Sequence, residues 1–232
     1  MQTERDGQIV DWIGRLGAAG AEHVMRRFAT SRSVAYGRLR SLVRDGLLDH
    51  RAVLYARPGM YTASTAGLRW QGNQRLGGCS LGPGGFEHAW QLAQVAVWLE
   101  LALPGWRTVS EREIRAVEAA EERPFASARV GTIADRATWH RPDLALSDLQ
   151  GRTVAVEVEL SIKSAARLAA ICRGWARARH VHHVYYLATA GPARAVARTV
   201  RAIQATDYIT VLGLDGVPRL AAELEPQSSL HA

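Results

Sequence analysis

Lysine is nearly missing from this chain. It has 232 residues and 29 basic side chains, of which 28 are arginine and one is lysine, Lys163. So strong a bias fits a GC-rich genome better than a physical need, and arginine abundance alone says little. Cysteine is equally scarce. Cys79 and Cys172 are far apart in sequence and lack metal-ligand spacing, which excludes a disulfide framework and a cysteine zinc module. Reduced thiols are expected, with Cys172 on the core face of a helix. No apolar run approaches the roughly 20 residues of a membrane-spanning helix. The opening MQTERDGQIV lacks the apolar stretch of a signal peptide. A cytoplasmic protein with no membrane partner is therefore expected.

What is present is unevenly placed. Residues 1–80 hold 12 arginines against 6 carboxylates, whereas residues 81–232 hold 17 basic and 16 acidic side chains. The first third thus carries nearly all of the positive excess, as a polyanion-binding segment would. A solvated basic surface accounts for the same excess. The hydrophobic content, 47%, is ordinary, and the length allows one large or two small domains, each with its own core.

In residues 1–76, Ile9, Val10, Ile13 and Leu16 recur at helical spacing up to Gly17. A short second helix is expected over Ala21–Phe28. A third, capped by Ser31 or Ser33, should run to about Asp45 with Ala35, Leu39, Leu42 and Val43 inward. Opposite that stripe lie Arg32, Ser33, Tyr36, Arg40 and Arg44, near i, i+4 spacing. A hairpin should follow, from HRAVLYA through a turn at Arg57-Pro58-Gly59 to MYTAST. Three helices and a hairpin in this order resemble a winged helix-turn-helix. The resemblance implies binding to double-stranded DNA, with the basic helix face in a groove and Arg51 and Arg57 on the wing. A winged helix used only for protein contacts has the same pattern.

Residues 72–85, GNQRLGGCSLGPGG, cannot build a packed core. The domain boundary is accordingly expected at a linker over residues 77–86, followed by a second domain over 87–218 and a loose tail over 219–232. The second domain reads as helix, three strands, helix, strand, helix, strand, with Phe125–Trp139 as an irregular loop or extra hairpin. That succession is α/β, its last strands joined by crossover helices and so parallel.

The informative stretch is RPDLALSDLQGRTVAVEVELSIK, residues 141–163. In a strand, Glu157 and Glu159 point to one face and Val156 and Val158 to the other. Two carboxylates on one face, beside a neighbouring strand that carries Asp143, suit a divalent metal better than a core. A helix from about Lys163 to Arg179, capped by Ser161, should follow. The element order and the pair Pro142-Asp143 and Glu157-Val158-Glu159 resemble the PD-(D/E)xK, or restriction-endonuclease-like, fold, a mixed sheet flanked by helices. The resemblance implies a catalytic set of Asp143, Glu157, Glu159 and Lys163. Asp143 and Glu157 would bind Mg²⁺, with Glu100 of the first helix joining them and Glu87 and Glu111 as substitutes. The family's lysine position is occupied by Glu159; Lys163 either reaches back to the site or is an ordinary surface lysine. A degenerate site kept for binding, or glutamates paired structurally with arginines, are the other readings. His88, His140, His182 and His183 match no compact zinc spacing, although His88 and His140 could border the site. Arg167, Arg173 and Arg177 are further candidates for phosphate contact.

Taken together, Tyr61-Thr62, Thr65-Ala66-Gly67-Leu68, His88, Arg141-Pro142-Asp143, and Glu157 to Ser161 with Lys163-Ser164 resemble the replication-relaxation family. Its members come from plasmids and integrative elements of Gram-positive bacteria. The resemblance implies a DNA-binding protein of plasmid replication or mobilisation, with an endonuclease-like domain. An active Mg²⁺-dependent nuclease or nickase, and a transcriptional regulator with a dimerising C-terminal domain, are the alternatives. A homodimer is compatible with each.

Overall fold

Residues 2–225 are described by a computed structural model. The chain divides into two compact units, Met1–Val97 and Trp98–Ala232. In the first, the Thr3 side chain accepts the Asp6 N–H while Asp6 accepts the Thr3 N–H at 2.8 Å, a capping box that starts α1 (Glu4–Leu16). A short strand, β1 (Ala19–Gly20), and α2 (Ala21–Arg27) follow. Ser31, not Ser33, caps α3 (Arg32–Arg44), which buries Ala35, Leu39 and Leu42. Gly46, at φ +71°, ends α3: the Leu47 N–H reaches the Leu42 carbonyl at 2.9 Å and the Gly46 N–H the Val43 carbonyl at 3.0 Å. These two bonds satisfy carbonyls that the helix leaves open, and the left-handed backbone they need favours glycine.

The chain then forms β2 (Leu48–Arg51) and β3 (Met60–Ala63), and the sheet order is β1-β3-β2 with antiparallel pairing. The hairpin is looser than the sequence implies. β2 stops at Arg51, because Val53 and Leu54 leave the ladder to pack with Met60 and Phe86. Ser64 caps α4 (Thr65–Trp70). Ile9, Val10 and Ile13 of α1 meet Leu39 and Leu42 of α3, Leu48 and Tyr61 of the sheet, and Ala93 and Val97 of α5 (Phe86–Ala102) in one core. That last contact explains why the division falls inside α5 and not in the glycine-rich stretch over 77–86.

The second unit continues with β4 (Arg107–Ser110), α6 (Glu111–Glu121), β5 (Ala128–Ile133), β6 (Arg136–His140), β7 (Leu144–Ser147) and β8 (Thr153–Glu159). It closes with α7 (Ala165–Arg177), β9 (His183–Ala188), α8 (Ala190–Ala202), β10 (Ile209–Gly213) and α9 (Val217–Leu224). The five-stranded sheet is mixed, in the order β10-β9-β8-β7-β4. β8, β9 and β10 are parallel, as crossover helices between them require, while β7 pairs antiparallel with β8 and β4. Ala155, Val184 and Tyr186 on one face pack against Leu168, Ile171 and Cys172 of α7 and Val196 and Val200 of α8. The stretch expected as a loop or extra hairpin forms the hairpin β5–β6, from Ala128 to His140. Its turn residues Ala134 and Asp135 both have positive φ, 46° and 62°, the hand that matches strand twist.

Three sequence expectations for the second unit change. The strand expected from Arg141 starts at Leu144, so Pro142 and Asp143 precede it. Ser164, not Ser161, caps the helix that follows β8, its side chain accepting the Arg167 N–H at 3.3 Å. The expected tail is helical over Val217–Leu224, because Val217, Leu220, Ala221 and Leu224 form one apolar stripe and are buried; residues 226–232 lie outside the described residues. Among the described residues no helix is long and apolar enough to cross a membrane.

Two glycines should respond oppositely to the same substitution. A Cβ on Gly67 would lie 2.1 Å from the Leu47 carbonyl oxygen, whereas one on Gly37 of α3 meets nothing within 4 Å. Gly67→Ala is expected to cost about 1–3 kcal/mol in urea unfolding of the intact chain. Gly37→Ala should instead gain about 0.5–1 kcal/mol from helix propensity. Equal effects would contradict the close packing of α4 on Leu47.

Candidate functional site

The buried stripe of α3 leaves its opposite side to solvent. Arg32, Ser33, Arg40 and Arg44 are exposed there, and Tyr36 is half-buried at the edge of the core. The Arg32 guanidinium lies over the Tyr36 ring, 5.5 Å from its centroid. Ser33 Oγ is 3.2 Å from Ser31 Oγ, and Arg40 Nε donates to the Tyr36 carbonyl at 3.3 Å. Arg44 donates to Ser41 Oγ at 3.0 Å and has Asp45 at 3.7 Å. Among the described residues neither Arg32 nor Arg40 forms an ion pair with a carboxylate. Arg38 on the same helix turns instead to Asp6, at 3.5 Å.

Of the two wing candidates, Arg51 is exposed at the end of β2 and Arg57 pairs with Glu87 at 2.9 Å. Both members of that pair are about half exposed, 54% and 49%. Pairs of this kind contribute about 0–1 kcal/mol, so Glu87 holds Arg57 only weakly.

The carboxylates of the second unit are organised by β8, all seven residues of which are buried. β7 pairs with β8 through Leu144 and Val156, which brings Asp143 alongside Glu157 and Val158. The Asp143 carboxylate accepts the Val158 N–H at 2.8 Å. Glu157 and Glu159 point to the α7 face and are only 4% and 5% exposed. Each has an internal partner. Glu157 Oε1 lies 2.6 Å from His140 Nε2, and Glu159 pairs with Lys163. His140 also meets Trp175 of α7 edge-on, with centroids 5.7 Å apart.

The electrostatics follow from this burial. Desolvation opposes a charged His140, but the Glu157 carboxylate outweighs it, so the His140 pKa is raised above 6.5; Lys163 opposes and Asp143 adds to the rise. Burial, with help from Glu157, pushes the Cys172 thiol up to about 11. The Tyr186 hydroxyl is raised well above 10, again by burial first and the Glu157 charge second. Both groups stay neutral at physiological pH.

One residue that the sequence reading missed fixes the approach to this site. Glu118 of α6, 8% exposed, accepts the N–H groups of Phe125, Ala126 and Ser127 at 3.0, 3.3 and 3.0 Å, the Ser127 hydroxyl at 2.7 Å and Arg141 Nε at 3.1 Å. It thereby holds Arg141-Pro142-Asp143 in place. The available signal was Glu118 at i+4 from Ile114, on the buried stripe of α6.

The expected metal ligands are not assembled into a cage. Among the described residues no group of three or more His, Cys, Asp or Glu is disposed to hold a metal ion. Glu100 is half-buried on α5, and the substitutes Glu87 and Glu111 are engaged with Arg57 and Arg115. Of the four histidines singled out, His140 stands in the site. His183 instead bonds Thr210 Oγ1 at 2.8 Å, and His182 is exposed.

The His140–Glu157 pair has a signed pH dependence. Because the folded His140 pKa lies above its ordinary 6.5, the stabilisation it lends is complete below about pH 6.5 and is lost as pH rises through the folded value. In chelator-containing buffer, NMR should show His140 titrating above the ordinary histidine value of 6.5. Glu157→Gln should lower the His140 midpoint. A midpoint that Glu157→Gln leaves unmoved would contradict the pairing.

No family model, no curated protein and no solved structure matches this chain.

Proposed function

We propose that the chain is a DNA-binding protein that docks on duplex DNA through α3, with an endonuclease-like second unit. The observation that carries this reading is the solvent face of α3, where Arg32 and Arg40 stand free of carboxylates beside Ser33, Tyr36 and Arg44. The order α1, β1, α2, α3, β2, β3 with β3 central supports a winged helix-turn-helix, in which α3 is the recognition helix and Arg51 and Arg57 belong to the wing. The mixed sheet supports the endonuclease-like reading of the second unit, with Asp143 leading into β7 and Glu157 on β8. The family resemblance adds a context of plasmid replication or mobilisation.

Duplex affinity, measured by fluorescence anisotropy, should fall steeply with salt because bound phosphates release counterions. Replacing Arg32 and Arg40 by alanine should weaken binding on every sequence and reduce the log–log salt slope by about 2. A duplex affinity insensitive to salt, or unchanged in that double variant, overturns the reading.

For the second unit we infer a Mg²⁺ position at Asp143 and Glu157 that opens only when Glu157 parts from His140. When bound, the cation would polarise a phosphate and activate water. The residues do the rest: Asp143 is held by the Val158 N–H, and Glu159 and Lys163 neutralise one another beside it. Millimolar Mg²⁺ should therefore lower the His140 midpoint seen by NMR, and Asp143→Ala should abolish that shift. An unshifted His140 identifies a site without metal. Nicking of supercoiled plasmid that needs both Mg²⁺ and Asp143 identifies an active nuclease, and binding without nicking identifies a domain kept for DNA contact.

A further inference from the structure

The β5–β6 hairpin carries a surface that neither the α3 face nor the carboxylate site uses. Trp139 of β6 is 40% exposed, high for so large an apolar side chain. It stands between two hollows of the second unit, lining both. The two sides differ in charge. On one side Arg115, Arg123 and Arg141 are each neutralised, by Glu111 at 2.6 Å, Glu121 at 2.8 Å and Glu118 at 3.1 Å. On the other side is a hollow of about 530 Å³ bordered by Arg129, Thr132, Gly174, Arg177 and His180, with no carboxylate in its lining. Among the described residues neither Arg129 nor Arg177 forms an ion pair. Arg129 donates to Thr132 Oγ1 at 2.9 Å and Arg177 to the Arg173 carbonyl at 3.2 Å.

The backbone holds these groups together. Arg129 is the cross-strand partner of Trp139, so both side chains stand on one face of the hairpin. Gly174 lets that hairpin lie against α7, since a Cβ there would come within 2.9 Å of the Arg129 carbonyl oxygen. Arg177 follows Gly174 by three residues and so rises from the same helix face. The result is an exposed indole flanked by two unpaired guanidiniums in an open hollow of small-ligand size, roughly 300–1,000 Å³. Anionic partners with a flat aromatic surface fit this chemistry. Duplex DNA keeps its bases stacked inside; an unpaired strand offers base and phosphate together.

We propose that this hollow binds single-stranded DNA, with a base stacked on Trp139 and the adjoining phosphates beside Arg129 and Arg177. The choice of DNA rests on the function proposed above, but the residues are separate from α3. A second DNA contact of this type would let the chain hold duplex and unpaired strand at once.

The test uses the full chain and a labelled short oligothymidylate, read by fluorescence anisotropy. Trp139→Ala should weaken binding roughly tenfold or more, and Trp139→Phe, which keeps a ring, should weaken it less. Replacing Arg129 and Arg177 by alanine should reduce the salt slope by about 1.4, the single-strand value for two phosphates. Circular dichroism melts check that each variant is folded; should Trp139→Ala fail, Trp139→Phe and the arginine pair still decide. Oligothymidylate binding that is unchanged in both Trp139→Ala and the arginine pair overturns the proposal. Tighter binding of oligouridylate also overturns it, by assigning the hollow to RNA. Substituting Arg32 and Arg40 should spare oligothymidylate binding. If those substitutions leave duplex binding intact while Trp139→Ala loses the single strand, the α3 reading fails and this one stands.

Discussion

The second unit depends on one constraint: two glutamates sit in its central strand with almost no access to water. A buried carboxylate must be neutralised or hydrogen-bonded, because desolvation of an unpaired charge costs several kcal/mol. β8 cannot supply partners from within, since its other residues are Thr153 and apolar side chains. The partners come from either side in the chain. His140 ends β6 and meets Glu157; Lys163 follows β8 and meets Glu159. Two segments that a purely apolar strand would leave loose, the end of the β5–β6 hairpin and the approach to α7, are thereby tied to the sheet. The chain's only lysine is used here. An ammonium on a flexible stem can fold back over four residues to a carboxylate on the strand it has just left, where a planar guanidinium needs a more open approach.

Glu118 extends this constraint outward. Its carboxylate gathers three backbone N–H groups, a hydroxyl and a guanidinium, so the turn before β5 and the segment before β7 are held by one buried charge. Charge-assisted bonds to a carboxylate exceed neutral ones, roughly 1.5–3 against 0.5–1.5 kcal/mol. These bonds fix an irregular stretch between α6 and the hairpin. It also places Arg141, and hence Asp143, without any regular structure at residues 141–143.

Regular elements were legible in the sequence where local signals were strong. Gly17 and Gly46 end α1 and α3 at the positions expected from helical periodicity, and the alternation of Val156, Glu157, Val158 and Glu159 identified β8. What escaped was set by distant partners. β2 stops early because Val53 and Leu54 find Met60 and Phe86; α5 joins the first unit through Ala93 and Val97 although a glycine-rich stretch precedes it. The reading of residues 219–225 as tail failed for a different reason. Val217, Leu220, Ala221 and Leu224 do carry helical periodicity, but the run is short and its burial is settled by tertiary packing. In the candidate site, Asp143, Glu157, Glu159 and Lys163 were visible as a motif. That Glu157 would face His140, 17 residues away, was not, because no local pattern links the end of a hairpin to the middle of a strand.

Arginine illustrates the same division between composition and structure. Its abundance carries no information about function, since the bias pervades the whole chain. Pairing separates one arginine from another. Arg115, Arg123, Arg141 and Arg152 each have a carboxylate within 3.1 Å and contribute to structure or to nothing measurable. Among the described residues Arg32, Arg40, Arg129 and Arg177 reach only backbone, hydroxyl or ring partners. They occur on two separate surfaces, each with an aromatic side chain beside them, Tyr36 on one and Trp139 on the other. A GC-rich codon bias places arginines, but it does not withhold carboxylates from particular ones. Among the described residues Arg32 and Arg40 beside Tyr36 and the arginines on the Arg129 side of Trp139 have no carboxylate partner, although Glu118 and Glu122 border the hollow on the other side of that indole; an exposed guanidinium without such a partner retains its full charge for an anion.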